Sequence, residues 1–253
     1  MAQTLHVAVG SQSRLAAILV TVVAVIEGFA RLPVTAHAAN TTQLQQAAER
    51  AASKGAPLVV LIHGLNGAPT HWPAALTARL RSVNRRAVVT SVDWSAATSK
   101  LRGAATAHAI GATLGERFAS LDPPLVSMHV VSHSVGAHAA ASLATSYRTR
   151  GGRAPLRLTY LDPFCMKGII DWRHGVRAFG LAGLDEVRVE HVYDAQSSPP
   201  TTGVALQHAA LAVDVSTDPG RAKWRPQSLG VPVDDRRFHW WPTEWYIAHY
   251  PLQ

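Results

Sequence analysis

Residues 129–138 read His-Val-Val-Ser-His-Ser-Val-Gly-Ala-His. An apolar strand end runs here into a turn of small residues, and then into the alanine-rich stretch from Val135 to Tyr147, which reads as a helix. A sharp strand-to-helix turn with little bulk on either side lifts a serine hydroxyl clear of a sheet, where a base can reach it. Ser134 is therefore the candidate nucleophile. Gly136 supplies the second small residue of the G-x-S-x-G pattern, and Ser132 stands where the first glycine would be.

Upstream, Pro57 to Gly64 is a continuous apolar run ending in His63-Gly64, the pattern of a strand buried on both faces of a parallel sheet. The loop Leu65-Asn66-Gly67 follows. In a site of this kind the loop after that strand donates one backbone N–H to a developing oxyanion, and the residue after the nucleophile donates the other. Those are the amides of Leu65 and Val135.

The remaining segments alternate. Ala68 to Val83 reads as a helix, Ala87 to Val92 as a strand ending at Asp93-Trp94, and Leu101 to Leu121 as a helix whose apolar stripe is Ile110, Leu114, Phe118 and Leu121. Pro123-Pro124 ends it. Strands follow at Val126 to Val131, Leu156 to Leu161 and Val187 to Tyr193, with a last strand from His208 to Val215. This alternation predicts an α/β fold: an open, mostly parallel central sheet with helices on both faces, whose ligands bind at the carboxyl ends of the strands. Ser134, Asp162 and Asp194 all fall at such ends.

Composition sets the outer bounds. The 253 residues are 47% hydrophobic and 16% charged, enough apolar material for one sizeable catalytic domain, assigned to residues 39–253. Arg14, the apolar run from Leu15 to Ile26 and the small-x-small Ala36-His37-Ala38 read as a secretory signal peptide over residues 1–38, so the protein is expected to be exported, to a periplasm or the medium. The run falls short of the roughly 20 apolar residues a membrane span needs. Cys165 is the only cysteine, which forbids an intrachain disulfide, and no chemistry is assigned to it. The net charge of +8 comes from scattered arginines with no aromatic-interleaved basic patch, so nucleic acid is not an expected partner. A basic surface of this kind does suit transient contact with anionic lipid.

With these residues in view, the chain resembles the pancreatic-lipase branch of the α/β-hydrolases. His129 to Ala140 is similar to that family's H-V-I-G-H-S-L-G-A-H-A-A elbow, His63-Gly64 with Trp72 to its H-G-F loop and following helix, Ser91 to Trp94 to its V-D-W, and Tyr160 to Pro163 to its G-L-D-P. The match spans residues 57 to 165, and the elbow is its most specific part. The resemblance implies the α/β-hydrolase fold, a serine nucleophile and a Ser-Asp-His triad, with Asp162 as the acid. Most α/β-hydrolases carry the acid one strand later, which here is Asp194, the alternative. The base must follow both in chain order. His239, in Phe238-His239-Trp240-Trp241-Pro242, holds that place, and the following Pro242-x-x-Trp245-Tyr246 resembles bacterial relatives. His249 and His208 are the weaker candidates among thirteen histidines.

The expected activity is hydrolysis of carboxylic esters, on a small-molecule or lipid ester, through an acyl-enzyme. An amidase or thioesterase on the same triad is an alternative, and a noncatalytic binding protein on a hydrolase scaffold is another. No cofactor and no metal are called for, since no H-E-x-x-H or compact ligand cluster is visible. The one cysteine and the short chain after His239 imply a small lid or none, with Phe164 to Leu184 the candidate flap. Nothing in the sequence fixes the oligomeric state.

Overall fold

The apolar run at Pro57 becomes the strand about which the sheet is ordered. The computed structural model describes residues 40–97, 103–164, 186–197, 204–224 and 235–251. Its strands are β1 (Leu58–Ile62), β2 (Val88–Val92), β3 (Met128–His133), β4 (Leu156–Leu161), β5 (Val187–Tyr193) and β6 (Leu211–Asp214). They form one sheet in the order β2-β1-β3-β4-β5-β6, every neighbouring pair parallel. The helices are α1 (Thr41–Ser53), α2 (Trp72–Val83), α3 (Gly103–Ala119), α4 (Gly136–Thr149), α5 (Pro219–Lys223) and α6 (Trp241–His249). This is an α/β fold.

Alternation along β1 assigns the two faces. Leu58, Val60 and Ile62 pack with Leu44 and Ala48 of α1, Ile110 and Leu114 of α3 and Leu143 of α4, whereas Val59 and Leu61 pack with Leu76 and Leu80 of α2 and Tyr246 of α6. All five β1 residues are buried, which is why the run carries no polar alternation. The chain steps from β1 out to β2 and then back across to β3. That reversal makes the carboxyl ends of β1 and β3 the topological switch point, where a crevice opens in sheets of this kind.

Each predicted strand is present: Leu156–Leu161 and Val187–Tyr193 keep their expected bounds, and the others have moved ends. The last strand is limited to Leu211–Asp214, so His208 lies in the loop before it and is exposed. β3 starts at Met128, and Val126 ahead of it is 48% exposed. α2 starts at Trp72, where Pro73 fits the first turn because its missing N–H has no intrahelical acceptor to lose. Ile110, Leu114 and Phe118 are buried as the stripe requires, while Leu121 lies past the end of α3 and packs on the core from outside the helix. Helix α1 is additional to the sequence reading. Its inward residues Leu44, Ala47, Ala48, Ala51 and Ala52 follow helical spacing but are mostly alanine, which carries little hydrophobic contrast.

Asn40, at the start of α1, closes one edge of the sheet. Its side-chain N–H donates to the Ser91 carbonyl at 2.7 Å and its Oδ1 accepts from the Asp93 N–H at 3.0 Å. Within β5, Glu190 is buried, accepts from Thr159 Oγ1 at 3.0 Å, and forms ion pairs with the Arg157 guanidinium at 2.7 Å and Arg188 at 3.1 Å. A buried carboxylate needs such partners to remain charged.

No helix among the described residues is long and apolar enough to cross a membrane. The leader expected at residues 1–38, Cys165 and the candidate flap beyond Phe164 lie outside the described residues.

Candidate active site

The elbow is built at the switch point. Ser134, one residue past β3, has φ of 55°, a left-handed conformation that costs a non-glycine residue about 1–2 kcal/mol. Backbone bonds hold it there. Its N–H donates to the Leu161 carbonyl at 3.2 Å, and its carbonyl accepts from the N–H groups of Ala137 and Phe164, each at 3.1 Å. Space around it comes from glycine. A Cβ on Gly64 would lie 2.7 Å from Ser134 Cβ, and one on Gly136 would lie 2.7 Å from the His63 carbonyl, so the end of β1 and the start of α4 approach only because both are bare. Ser132, buried in mid-sheet between Ile62 and Tyr160, is accommodated without a positive φ.

Asp162 follows β4 with φ of 41° and no exposure. Its N–H donates to the Val192 carbonyl at 2.8 Å, and its Oδ2 lies 2.6 Å from His239 Nδ1. A carboxylate only accepts, so Nδ1 carries the proton and Nε2 is left with the lone pair a general base requires. His239 is otherwise within a 3₁₀ segment, Asp235–Trp240, that leads into α6.

His133 joins the histidine to the elbow. Its Nε2–H donates to the backbone carbonyl of His239 at 2.9 Å, and its ring lies 4.5 Å from the His239 ring and 4.6 Å from that of Trp240. Burial, followed by the proximity of His239, pushes its pKa well below the usual histidine value, so it stands neutral beside the candidate base. Just past β1, His63 is also buried, which lowers its pKa. Its Nδ1–H donates to the Gly64 carbonyl at 2.8 Å, and Trp94 stacks on its ring and donates its indole N–H to the His63 carbonyl at 3.0 Å. The H-G and V-D-W segments are thus one packed unit.

Leu65 and Val135, the residues expected to supply oxyanion amides, converge on the first residue of α3: a Cβ on Gly103 would lie 3.4 Å from Leu65 Cδ1 and 3.6 Å from Val135 Cγ1.

Asp194 has a different partner. It is fully buried after β5 and pairs with Arg221 through two bonds, Nε to Oδ2 at 2.5 Å and a terminal guanidinium N–H to Oδ1 at 3.2 Å. The other two histidines are remote in kind: His208 is exposed, and His249 is exposed on α6 with Nδ1 bonded to the Trp245 carbonyl. Arg221 and His133 were not marked as site residues by the sequence. For Arg221 no local pattern could have done so, since its partner is 27 residues away.

A cavity of about 360 Å³ lined by Val59, Leu80, His129, Arg157 and Tyr250 lies at the amino ends of the strands, opposite this site. No group of three or more His, Cys, Asp or Glu that could hold a metal occurs among the described residues. No protein-family model matches the chain, and no curated protein matches it.

Proposed function

We propose that this chain is an exported serine hydrolase of the α/β-hydrolase type that cleaves carboxylic esters. The observation that carries the reading is the 2.6 Å bond from His239 Nδ1 to buried Asp162, at the strand end next to a serine held at φ 55°.

In this reading Ser134 Oγ attacks the ester carbonyl while His239 Nε2 takes its proton. Asp162 keeps the Nδ1–H tautomer and stabilises the imidazolium. The tetrahedral oxyanion lies against the amides of Leu65 and Val135, where one such donor is worth about 10²–10³ in kcat. Collapse breaks the C–O bond, and the imidazolium returns its proton to the departing alcohol. Water, deprotonated by the same imidazole, then cleaves the acyl-enzyme and frees the acid. The single cysteine forbids a disulfide-bridged lid within these residues, which favours soluble or short-chain esters, and the net charge of +8 favours transient contact with anionic lipid.

The test is hydrolysis of p-nitrophenyl esters from acetate to palmitate by the purified protein and by Ser134→Ala, with fluorophosphonate labelling of both. Turnover and labelling confined to the wild type support the proposal. A folded wild type that neither turns over any ester nor takes the label refutes it and favours the noncatalytic reading.

A further inference from the structure

The segment that carries His239 is a short 3₁₀ stretch, whose hydrogen bonds are poorly aligned. It does not by itself hold an imidazole to the tolerance that proton transfer needs. Two grips from outside the segment meet it. One is the bond from His133 to the His239 carbonyl. The other begins at Asp194.

Asp194 cannot swing. Its Oδ1 also accepts the Gln196 N–H at 2.9 Å and its carbonyl accepts the Ser197 N–H at 2.9 Å. It fixes Arg221, whose guanidinium lies 3.8 Å from the centre of the Phe238 ring, the residue before His239. Arg221 is itself set by α5, whose N-cap is Asp218: Oδ1 accepts the Gly220 N–H at 2.7 Å and Oδ2 accepts the Trp245 indole N–H of α6 at 3.0 Å. The clamp is electrically quiet, because the guanidinium charge is met by buried Asp194, with Asp214 nearby.

We propose that Asp194 and Arg221 are positioning residues that hold Phe238 against a guanidinium face, and so set the His239 imidazole on Asp162. The proposal rests on the reading of His239 as the base. It gives the buried acid after β5 a duty on the histidine segment rather than on the imidazole.

Phe238→Leu removes the aromatic face and keeps an apolar residue. Arg221→Lys keeps the charge opposite Asp194 but loses the planar fork. Each is expected to lower kcat about 10–100-fold, as sub-ångström misplacement does, with KM within about twofold on one p-nitrophenyl ester. The double variant is expected to be no worse than the worse single, because both cut one linkage. The second readout is the far-downfield proton resonance of the His239–Asp162 bond, expected to broaden or shift in both variants while thermal unfolding stays cooperative. Wild-type kcat with an unmoved resonance overturns the clamp, and so do losses that multiply in the double variant. Should Arg221→Lys fail to fold, Phe238→Leu decides alone. Should the wild type hydrolyse nothing, the hydrolase reading fails, and the resonance still decides the clamp.

Discussion

Gly111→Ala puts the packing of the elbow helix to a quantitative test. Gly111 lies inside α3 where it crosses α4, and a Cβ there would come within 2.0 Å of the Ala139 carbonyl oxygen and 2.8 Å of its Cα. Ordinary contact begins near 3.4 Å, so the helices would have to part by about 1.4 Å. In isolation alanine favours a helix over glycine by about 1 kcal/mol. Against that stands overpacking, about 1–3 kcal/mol when flexible side chains can yield. Here the obstacle is backbone, and the facing residues Ile110, Leu114, Leu143 and Tyr147 are all no more than 2% exposed, so the upper end applies. The net expectation is a loss of about 2 kcal/mol, a fall of about 4–8 °C in melting temperature for a chain of this size. The assay is urea unfolding of the variant beside Gly55→Ala, where a Cβ meets nothing within 4 Å but φ is +54°, and about 1 kcal/mol of backbone strain is expected. A Gly111→Ala midpoint equal to or above the wild type's refutes the close-crossing account.

Three further outcomes follow from the same geometry. Asp162→Asn, which offers His239 Nδ1 an amide in place of a carboxylate, is expected to cost about 10⁴ in kcat, whereas Asp194→Asn costs no more than about 10²; equal losses on one ester would contradict the assignment of the acid. Gly64→Ala, whose Cβ would meet Ser134 Cβ at 2.7 Å and His133 Nδ1 at 3.2 Å, is expected to slow fluorophosphonate labelling at least tenfold, measured by time course with folding followed by circular dichroism. Burial pushes His191 down to about 3, and its Nδ1 accepts the Leu206 N–H at 3.2 Å, so the unfolded chain takes up a proton near pH 6.5 that the folded chain refuses until about pH 3. The neutral histidine's contribution is complete above pH 6.5 and is lost as pH falls, at about 1.4 kcal/mol per unit; His191→Asn, compared with the wild type in urea from pH 7 to 4, is expected to flatten the slope by that amount.

The central strands were legible because burial on both faces leaves an unbroken apolar run, and the turn at Ser134 because small residues stand between such a run and an alanine-rich helix. Asp162, followed by Pro163, and His239, three residues before Pro242, were singled out through local motifs. α1 was not, since alanine gives a buried face little contrast with its surroundings. The Asp194–Arg221–Phe238 linkage was invisible for another reason. Its members lie on β5's exit, α5 and the 3₁₀ segment, and only the tertiary fold brings them together. The end of β3 was misread because His133, a polar residue, closes a strand whose burial the sequence ascribed to Val130 and Val131.

Asn40 has a consequence beyond the fold's interior. An edge strand with open N–H and C=O groups is a template for a neighbouring chain, and at the carboxyl end of β2 the Ser91 carbonyl and the N–H of Asp93, just past the strand, are already taken by one amide side chain. At the opposite edge β6 is only four residues long. Copies of this protein crowded together therefore have little ladder to extend at either end. Assembly between them is steered toward side-chain surfaces, and a lesion at Asn40 would reopen those two backbone groups to a neighbouring chain without touching Ser134, Asp162 or His239.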